Sequence, residues 1–178
     1  DLKREQSADL QEILKEAQKL KVEGRLKDAT PFYEQIIRNS QRAEFIFTVA
    51  AFELAECYYF IGNYERAVSL YYRCNLEYIA DENDFYIHLG HALLDVKMPK
   101  YEREIKIYYR SKVDPDYILT HKDAVEGAKR EVASVFDEYE ETCLEMGQKK
   151  YAEYRNRLPI GADDIDELMN KDSDEKIS

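Results

Sequence analysis

The feature that most constrains the fold is a set of four residues that recurs 38 positions later in the chain (Ala17 to Ala55). The two copies are Ala17, Gly24, Ala29 and Tyr33, then Ala55, Gly62, Ala67 and Tyr71. The spacing is that of two helices joined at the glycine, which ends the first helix in a left-handed cap. The alanines let the two helices approach closely, and the tyrosine fills the gap to the next unit. One such hairpin cannot bury both of its faces, so we expect the units to stack.

A third, less regular copy follows. The segment NYERAVSLYYR is echoed by KYEREIKIYYR, and Gly90 takes the place of Ala55. Glu104 stands where the second small residue should be, and the preceding loop is two residues longer and contains Pro99. We therefore predict three helical hairpins over residues 1–116, the third of them looser.

The repeat resembles the tetratricopeptide family, whose pattern is W-x₂-L-G-x₂-Y…A-x₃-F…P. The second copy meets it at Ala51, Leu54, Ala55, Tyr58, Ala67 and Tyr71. The other copies have Ile13, Glu16, Ala17, Leu20, Ala29 and Tyr33, and Tyr86, Leu89, Gly90, Leu93, Glu104 and Tyr108. The chain has no Trp, and the resemblance covers about residues 8–116. It implies an all-α, right-handed solenoid of stacked antiparallel hairpins, whose first helices line a concave groove.

Beyond Pro115 the pattern changes to a long amphipathic helix over residues 120–146, with Thr120 as its N-cap and Gly147 as its end. Its predicted apolar stripe is Ala124, Ala128, Val132, Val135, Phe136, Tyr139 and Cys143. A second helix is expected to follow as far as Pro159.

Residues 117–158 are therefore predicted to cap the solenoid, and a degenerate fourth hairpin is the alternative. Residues 159–178 are predicted to form a short helix, Asp163 to Asn170, and an acidic, partly disordered tail.

Charge and composition exclude several classes of function. The net charge of −11, without a dense Lys/Arg run, disfavours nucleic acids and anionic membrane surfaces as partners. No apolar run approaches the ~20 residues of a membrane helix. Cys57, Cys74 and Cys143 lie among apolar neighbours without C-x-x-C spacing, which indicates buried thiols in a reducing compartment. We expect an intracellular, cytoplasmic protein, with the nucleus left open, and the start at Asp1 indicates a fragment or processed form.

The segment DFYIHLGHALLD is the main candidate for chemistry, because Asp84, His88, His91 and Asp95 fall on one helical stripe. His88 and His91 could ligate a metal, but a tight site draws ligands from a second element. A carboxylate beside an imidazole could act as a general base. No nucleophile motif or phosphate-binding glycine loop accompanies the stripe, so we expect no enzyme, metal or cofactor. The remaining alternatives are a solvated helix face and a wall that binds a partner.

The resemblance places this stripe in the concave groove. The predicted groove residues are Leu14, Gln18, Lys21, Phe52, Glu56, Tyr59, Ile87, His88, His91, Leu94 and Asp95. Their aromatic and aliphatic members would supply contact area, and their polar members orientation and specificity. The family's clamp for a C-terminal carboxylate needs Lys, Asn and Arg where this chain has Leu14, Gln18, Glu53, Asp84 and His88. We therefore do not expect that clamp.

The predicted function is a non-catalytic interaction module or scaffold that binds a basic or amphipathic peptide or helix of a partner protein. One alternative is an oligomerisation module, with a homodimer formed through the C-terminal helices. Another is a groove filled in cis by residues 160–170, whose Ile165, Leu168 and Met169 form an apolar face. Tyr108 is predicted at a packing position, whereas Tyr59 and Tyr109 are expected to point elsewhere, Tyr59 into the groove.

Overall fold

The computed structural model describes residues 2–95 and 102–157, with side chains from Ser7 onward. Within these ranges the chain is helical and contains no strand, which confirms the predicted all-α class. The helices are α1 Leu2–Val22, α2 Leu26–Arg38, α3 Phe45–Ile61, α4 Tyr64–Arg73, α5 Glu82–Asp95, α6 Glu102–Val113, α7 Pro115–Thr120 and α8 Lys122–Asn156. A 3₁₀ turn, Leu76–Tyr78, precedes α5. No helix in the described part of the chain has both the length and the apolarity of a bilayer span.

The first two predicted hairpins are formed by α1 with α2 and by α3 with α4. Gly24 and Gly62 have φ angles of 82° and 101°, the left-handed conformation expected of them. The alanines and tyrosines of the repeat are all buried: Ala17, Ala29, Tyr33, Ala55, Ala67 and Tyr71. Further packing joins α2 to α3 and α4 to α5, so the helices from α1 to α5 contact one another in chain order.

The third hairpin departs from the prediction, because α5 packs mainly on α8 and not on α6. The two helices run antiparallel, with Gly90 at Cys143 and Gly147 at Tyr86. The far end of α8 also reaches α4, where the rings of Tyr72 and Tyr154 stack at 4.3 Å. Helix α8 therefore takes the place that the repeat pattern predicts for α6.

The predicted end of a helix at Gly147 is wrong, since α8 continues through it to Asn156. Gly147 lies inside α8 and is buried against α5. Its lack of a side chain therefore allows the two helices to pack closely and does not end a helix. The alternative of a degenerate fourth hairpin is wrong for the same reason. Thr120 ends α7 and is not the N-cap of α8, which is His121.

The buried stripe of α8 is longer than predicted and displaced at its start. Its buried residues are Val125, Ala128, Val132, Phe136, Cys143, Gly147, Tyr151 and Tyr154. Ala124 and Val135 are exposed, because the stripe follows the helical period from Val125. Residues 159–178 and their predicted short helix lie outside the described residues.

Helix α6 packs mainly on α8, and its Tyr109 reaches the C-terminal halves of α3 and α5. The ring of Tyr109 stacks on His91 with centroids 3.7 Å apart, and it lies 5.6 Å from the ring of Tyr59. The prediction that Tyr109 points away from the core is wrong, because Tyr109 is buried; Tyr108 is half-buried and packs on Phe136 as a packing residue would. The helix therefore covers part of the face that was predicted to be an open groove.

The contact between α5 and α8 brings two backbones into direct contact. A Cβ atom on Gly90 would lie 2.0 Å from the carbonyl oxygen of Cys143. A Cβ atom on Gly147 would lie 2.1 Å from the carbonyl oxygen of Tyr86. Both neighbours are main-chain atoms in helices, so any side chain at either position must push the helices apart.

We therefore expect Gly147→Ala to lower the free energy of unfolding by about 1–3 kcal/mol, as overpacking of a core does. The matched control is Gly127→Ala in the same helix, where the new methyl group would meet only the Arg130 side chain at 3.9 Å. There the substitution should stabilise the protein by about 0.5–1 kcal/mol, because alanine has less backbone freedom than glycine to lose on folding. Urea unfolding followed by circular dichroism measures both; equal stability of Gly147→Ala and wild type would contradict the close contact.

Candidate functional site

The structure divides the predicted groove residues into two groups. Gln18, Lys21, Phe52, Ile87 and Leu94 are partly exposed, and Leu14, Glu56, Tyr59, His88, His91 and Asp95 are buried. For the buried group the prediction of an open groove is wrong. Leu14 belongs to the core, and Glu56 and His88 are enclosed as partners of each other. Helices α6 and α8 cover Tyr59, His91 and Asp95.

Three of the predicted residues meet in a charged chain across α1, α3 and α5. Glu56 accepts from Lys21 through one carboxylate oxygen, and its other oxygen lies 3.0 Å from Nε2 of His88. The other ring nitrogen of His88 lies 2.8 Å from the backbone carbonyl oxygen of Asp84. Beside this chain, the side-chain amide of Gln18 donates a hydrogen bond to the carboxylate of Glu53, at 2.9 Å. The Lys21–Glu56–His88 chain therefore ties the three helices together with paired charges.

The surroundings of this chain favour its ionised form. Burial alone would raise the pKa of Glu56, but the hydrogen bond from His88 and the charge of Lys21 lower it to about 2. Burial would lower the pKa of His88, yet the hydrogen bond and charge of Glu56 raise it above its ordinary value. Because both ring nitrogens face acceptors, the imidazolium form donates to both.

A second polar cluster lies under α6, around His91. Burial lowers the pKa of His91 to about 4 and raises the pKa of Asp95 to about 6. Among the described residues both His91 ring nitrogens, the hydroxyls of Tyr59 and Tyr109, and Oδ2 of Asp95 are buried without a hydrogen-bond partner. The nearest carboxylate to His91 is Glu140, 3.8 Å from Nε2. This cluster is held mainly by ring contacts.

The two histidines do not converge on a common point. His88 faces Glu56, whereas His91 stacks on Tyr109. Over residues 2–95 and 102–157, no group of three or more His, Cys, Asp or Glu side chains is arranged to hold a metal ion. The stripe in DFYIHLGHALLD is thus divided between two separate environments.

An open cleft lies between the N-terminal halves of α3 and α5. Its volume is about 270 Å³, and its lining includes Val49, Phe52, Phe85, Tyr78 and Ile79 together with the carboxylates Glu53, Asp81 and Asp84. The sequence had placed Phe52 in a groove, but it gave no sign of the 3₁₀ turn that closes one side. Asp81 is fixed in place because its carboxylate accepts a hydrogen bond from the backbone N–H of Asp84, at 3.1 Å.

Comparisons of the chain with protein-family models, curated proteins and solved structures found no match. The tetratricopeptide resemblance therefore stays a prediction that rests on the repeat residues. What this surface does must be argued from its own contacts, shape and charge.

We expect the two buried histidines to titrate differently, because only His88 belongs to the Lys21–Glu56–His88 chain. His88 should titrate above its ordinary pKa of about 6.5 and His91 well below it, at about 4. In Glu56→Gln the pKa of His88 should fall, because burial is then opposed by Asp84 alone, while the pKa of His91 should change little. NMR of the imidazole Cε1–H signals measures both, and a wild-type His88 that titrates below 6.5 would contradict the pairing.

The ionisation of Asp95 should make the free energy of unfolding depend on pH. Because its folded-state pKa is raised, ionising it costs free energy above about pH 6, and that cost is absent below its unfolded pKa of about 3.8. Asp95→Asn should therefore raise the free energy of unfolding by about 1–3 kcal/mol near pH 8, with no gain near pH 4. Urea unfolding at the two pH values measures it; an equal gain at both would show that the carboxylate charge is not the cause.

Proposed function

We propose that the chain is a non-catalytic, tetratricopeptide-like interaction module of the right-handed solenoid type, which binds a segment of a partner protein. The support comes from the two hairpins with equivalent buried alanines and tyrosines, and from the contacts in chain order from α1 to α5. The observation that carries the binding role is the cleft between α3 and α5, where apolar walls stand beside three carboxylates.

The walls of the cleft suit one apolar side chain of a partner. Val49 and Phe52 are partly exposed there, while Phe85 is fully buried behind them. The ring of Phe52 is fixed by His88, at a centroid distance of 4.9 Å, and by Tyr71, at 5.6 Å. A preformed apolar surface loses little conformational freedom when a ligand binds, which favours affinity.

The rim of the cleft suits a cation next to that apolar side chain. Asp81 and Asp84 are exposed, and Glu53 is half-buried. Burial raises the pKa of Glu53, although the hydrogen bond from Gln18 opposes the shift. A Lys or Arg from the partner would stabilise the ionised form of Glu53. The proposed ligand is therefore a short segment with an aliphatic or aromatic residue beside a basic residue.

This site is shorter than the groove predicted from the sequence. Helices α6 and α8 cover Tyr59, His91 and Asp95 in the C-terminal halves of α3 and α5, so the cleft is confined to the N-terminal halves. The proposed ligand thus engages with a few side chains and does not lie along the whole face. Ile87 and Leu94 remain partly exposed on α5.

The test is a selection of peptides from a random phage-displayed library on the folded chain. We expect enriched peptides to pair an apolar residue with Lys or Arg within four positions, the reach of one helical turn. A synthetic copy of one enriched peptide is then titrated by fluorescence anisotropy. Val49→Arg, which adds bulk and positive charge to the cleft, should weaken binding at least about tenfold.

Two further variants separate the parts of the site. Asp81→Asn keeps the hydrogen bond to α5 but removes a rim charge, and it should weaken binding about threefold, more at low salt. Glu141→Gln, an exposed acid on α8, is the matched control and should leave affinity unchanged. Enriched peptides without a basic residue, or equal binding by Val49→Arg, would overturn the proposal.

A further inference from the structure

A basic pocket lies at the opposite end of α3 from the cleft. Arg103, Lys106 and Arg110 occupy one face of α6, at positions i, i+3 and i+7. Together with Phe60, Ile107 and Tyr117 they line a cavity of about 230 Å³. No residue of this pocket lines the cleft, so the two sites are separate.

Among the residues that the structure describes, the three cations of the pocket are not neutralised by carboxylates. Within the described ranges none of them forms an ion pair, although the whole chain has a net charge of −11. The guanidinium of Arg110 lies 5.2 Å from the ring centroid of Phe60 and 4.4 Å from that of Tyr117. These ring faces fix the position of the guanidinium and leave its N–H groups free to donate.

Lys106 adds a second positioned charge. Its ammonium donates to the hydroxyl of Tyr64 at 3.0 Å and lies 4.9 Å from the centroid of that ring. Burial lowers the pKa of Lys106, and the charge of Arg110 lowers it further, against the opposing charges of Asp95 and Glu102. An anion between Lys106 and Arg110 would relieve this repulsion.

We propose that the pocket binds a phosphate monoester on a side chain of a partner peptide. Three cations that line one pocket match a dianion better than a single carboxylate, and a guanidinium binds phosphate oxygens in pairs. The cavity is smaller than the roughly 300–1,000 Å³ of most small-molecule sites. It accommodates one phosphorylated side chain, whose apolar stem contacts Phe60 and Ile107, and it is too small to enclose a nucleotide.

The experiment titrates the isotope-labelled full chain by NMR with the blocked peptide Ac-Ala-Ala-pTyr-Ala-Ala-NH₂ and with its unphosphorylated form. The phosphopeptide should shift the Arg103 and Arg110 Nε–H signals in a saturable way. The unphosphorylated peptide should not, and phenyl phosphate should bind more weakly than the phosphopeptide because it lacks the peptide contacts.

The variants distinguish this site from general attraction between charges. Arg110→Gln should weaken binding at least about fivefold, and so should Arg103→Gln, whose exposed side chain can be replaced without disturbing the rings. Arg130→Gln, an exposed arginine on α8, is the matched control and should bind like wild type.

Three results would overturn the proposal: no saturable shift, equal weakening by Arg130→Gln, or unchanged binding by both pocket variants. If phenyl phosphate binds as tightly as the phosphopeptide, the ligand is a small phosphate ester and the peptide assignment is wrong. None of these results depends on the cleft between α3 and α5.

Discussion

The close approach of α5 and α8 at Gly90 and Gly147 determines how the rest of the described chain is arranged. Two helices whose backbones touch leave no room for a third between them, so α8 occupies the place beside α5. Helix α6 then packs on another part of α8, and its Tyr109 reaches the C-terminal halves of α3 and α5. Tyr109 makes that packing favourable, because its ring covers His91 in a site that water does not reach. The buried cluster around His91 therefore depends on Gly90 and Gly147, although neither glycine belongs to it.

The polar residues of α1, α3 and α5 have two different roles. Towards the middle of the face, the charges of Lys21, Glu56 and His88 compensate one another. At the N-terminal ends of α3 and α5, Asp81 and Asp84 face solvent beside an apolar cleft. A buried ion pair adds little net stability, because the cost of desolvating the two charges offsets their attraction. Exposed carboxylates at a rim instead favour a partner of opposite charge, although Asp84 also lies 3.6 Å from Nδ1 of His88.

The sequence predicted what is local and missed what depends on distant contacts. Gly24 and Gly62 were assigned correctly because a helical hairpin is specified within about 20 residues, by spacing alone. Gly90 was identified as a small packing residue, but nothing near it shows that its partner lies on α8. The residues around Gly147 resemble those around a glycine that ends a helix. Only its contact with Tyr86 shows that it is a packing glycine inside a helix. The cleft was missed because its side wall is the 3₁₀ turn Leu76–Tyr78, which has no periodic pattern.

The partnership of α5 with α8 also has a consequence for the order in which the protein can form during synthesis. The hairpins α1–α2 and α3–α4 join segments that are adjacent in the chain, so each can close soon after it leaves the ribosome. Helix α5 has its face at Gly90 uncovered until Gly147 has been added, 57 residues later (147 − 90). Contacts between such distant residues close slowly. The growing chain must therefore keep this face of α5 uncovered while those 57 residues are added, although α5 can already pack on α4.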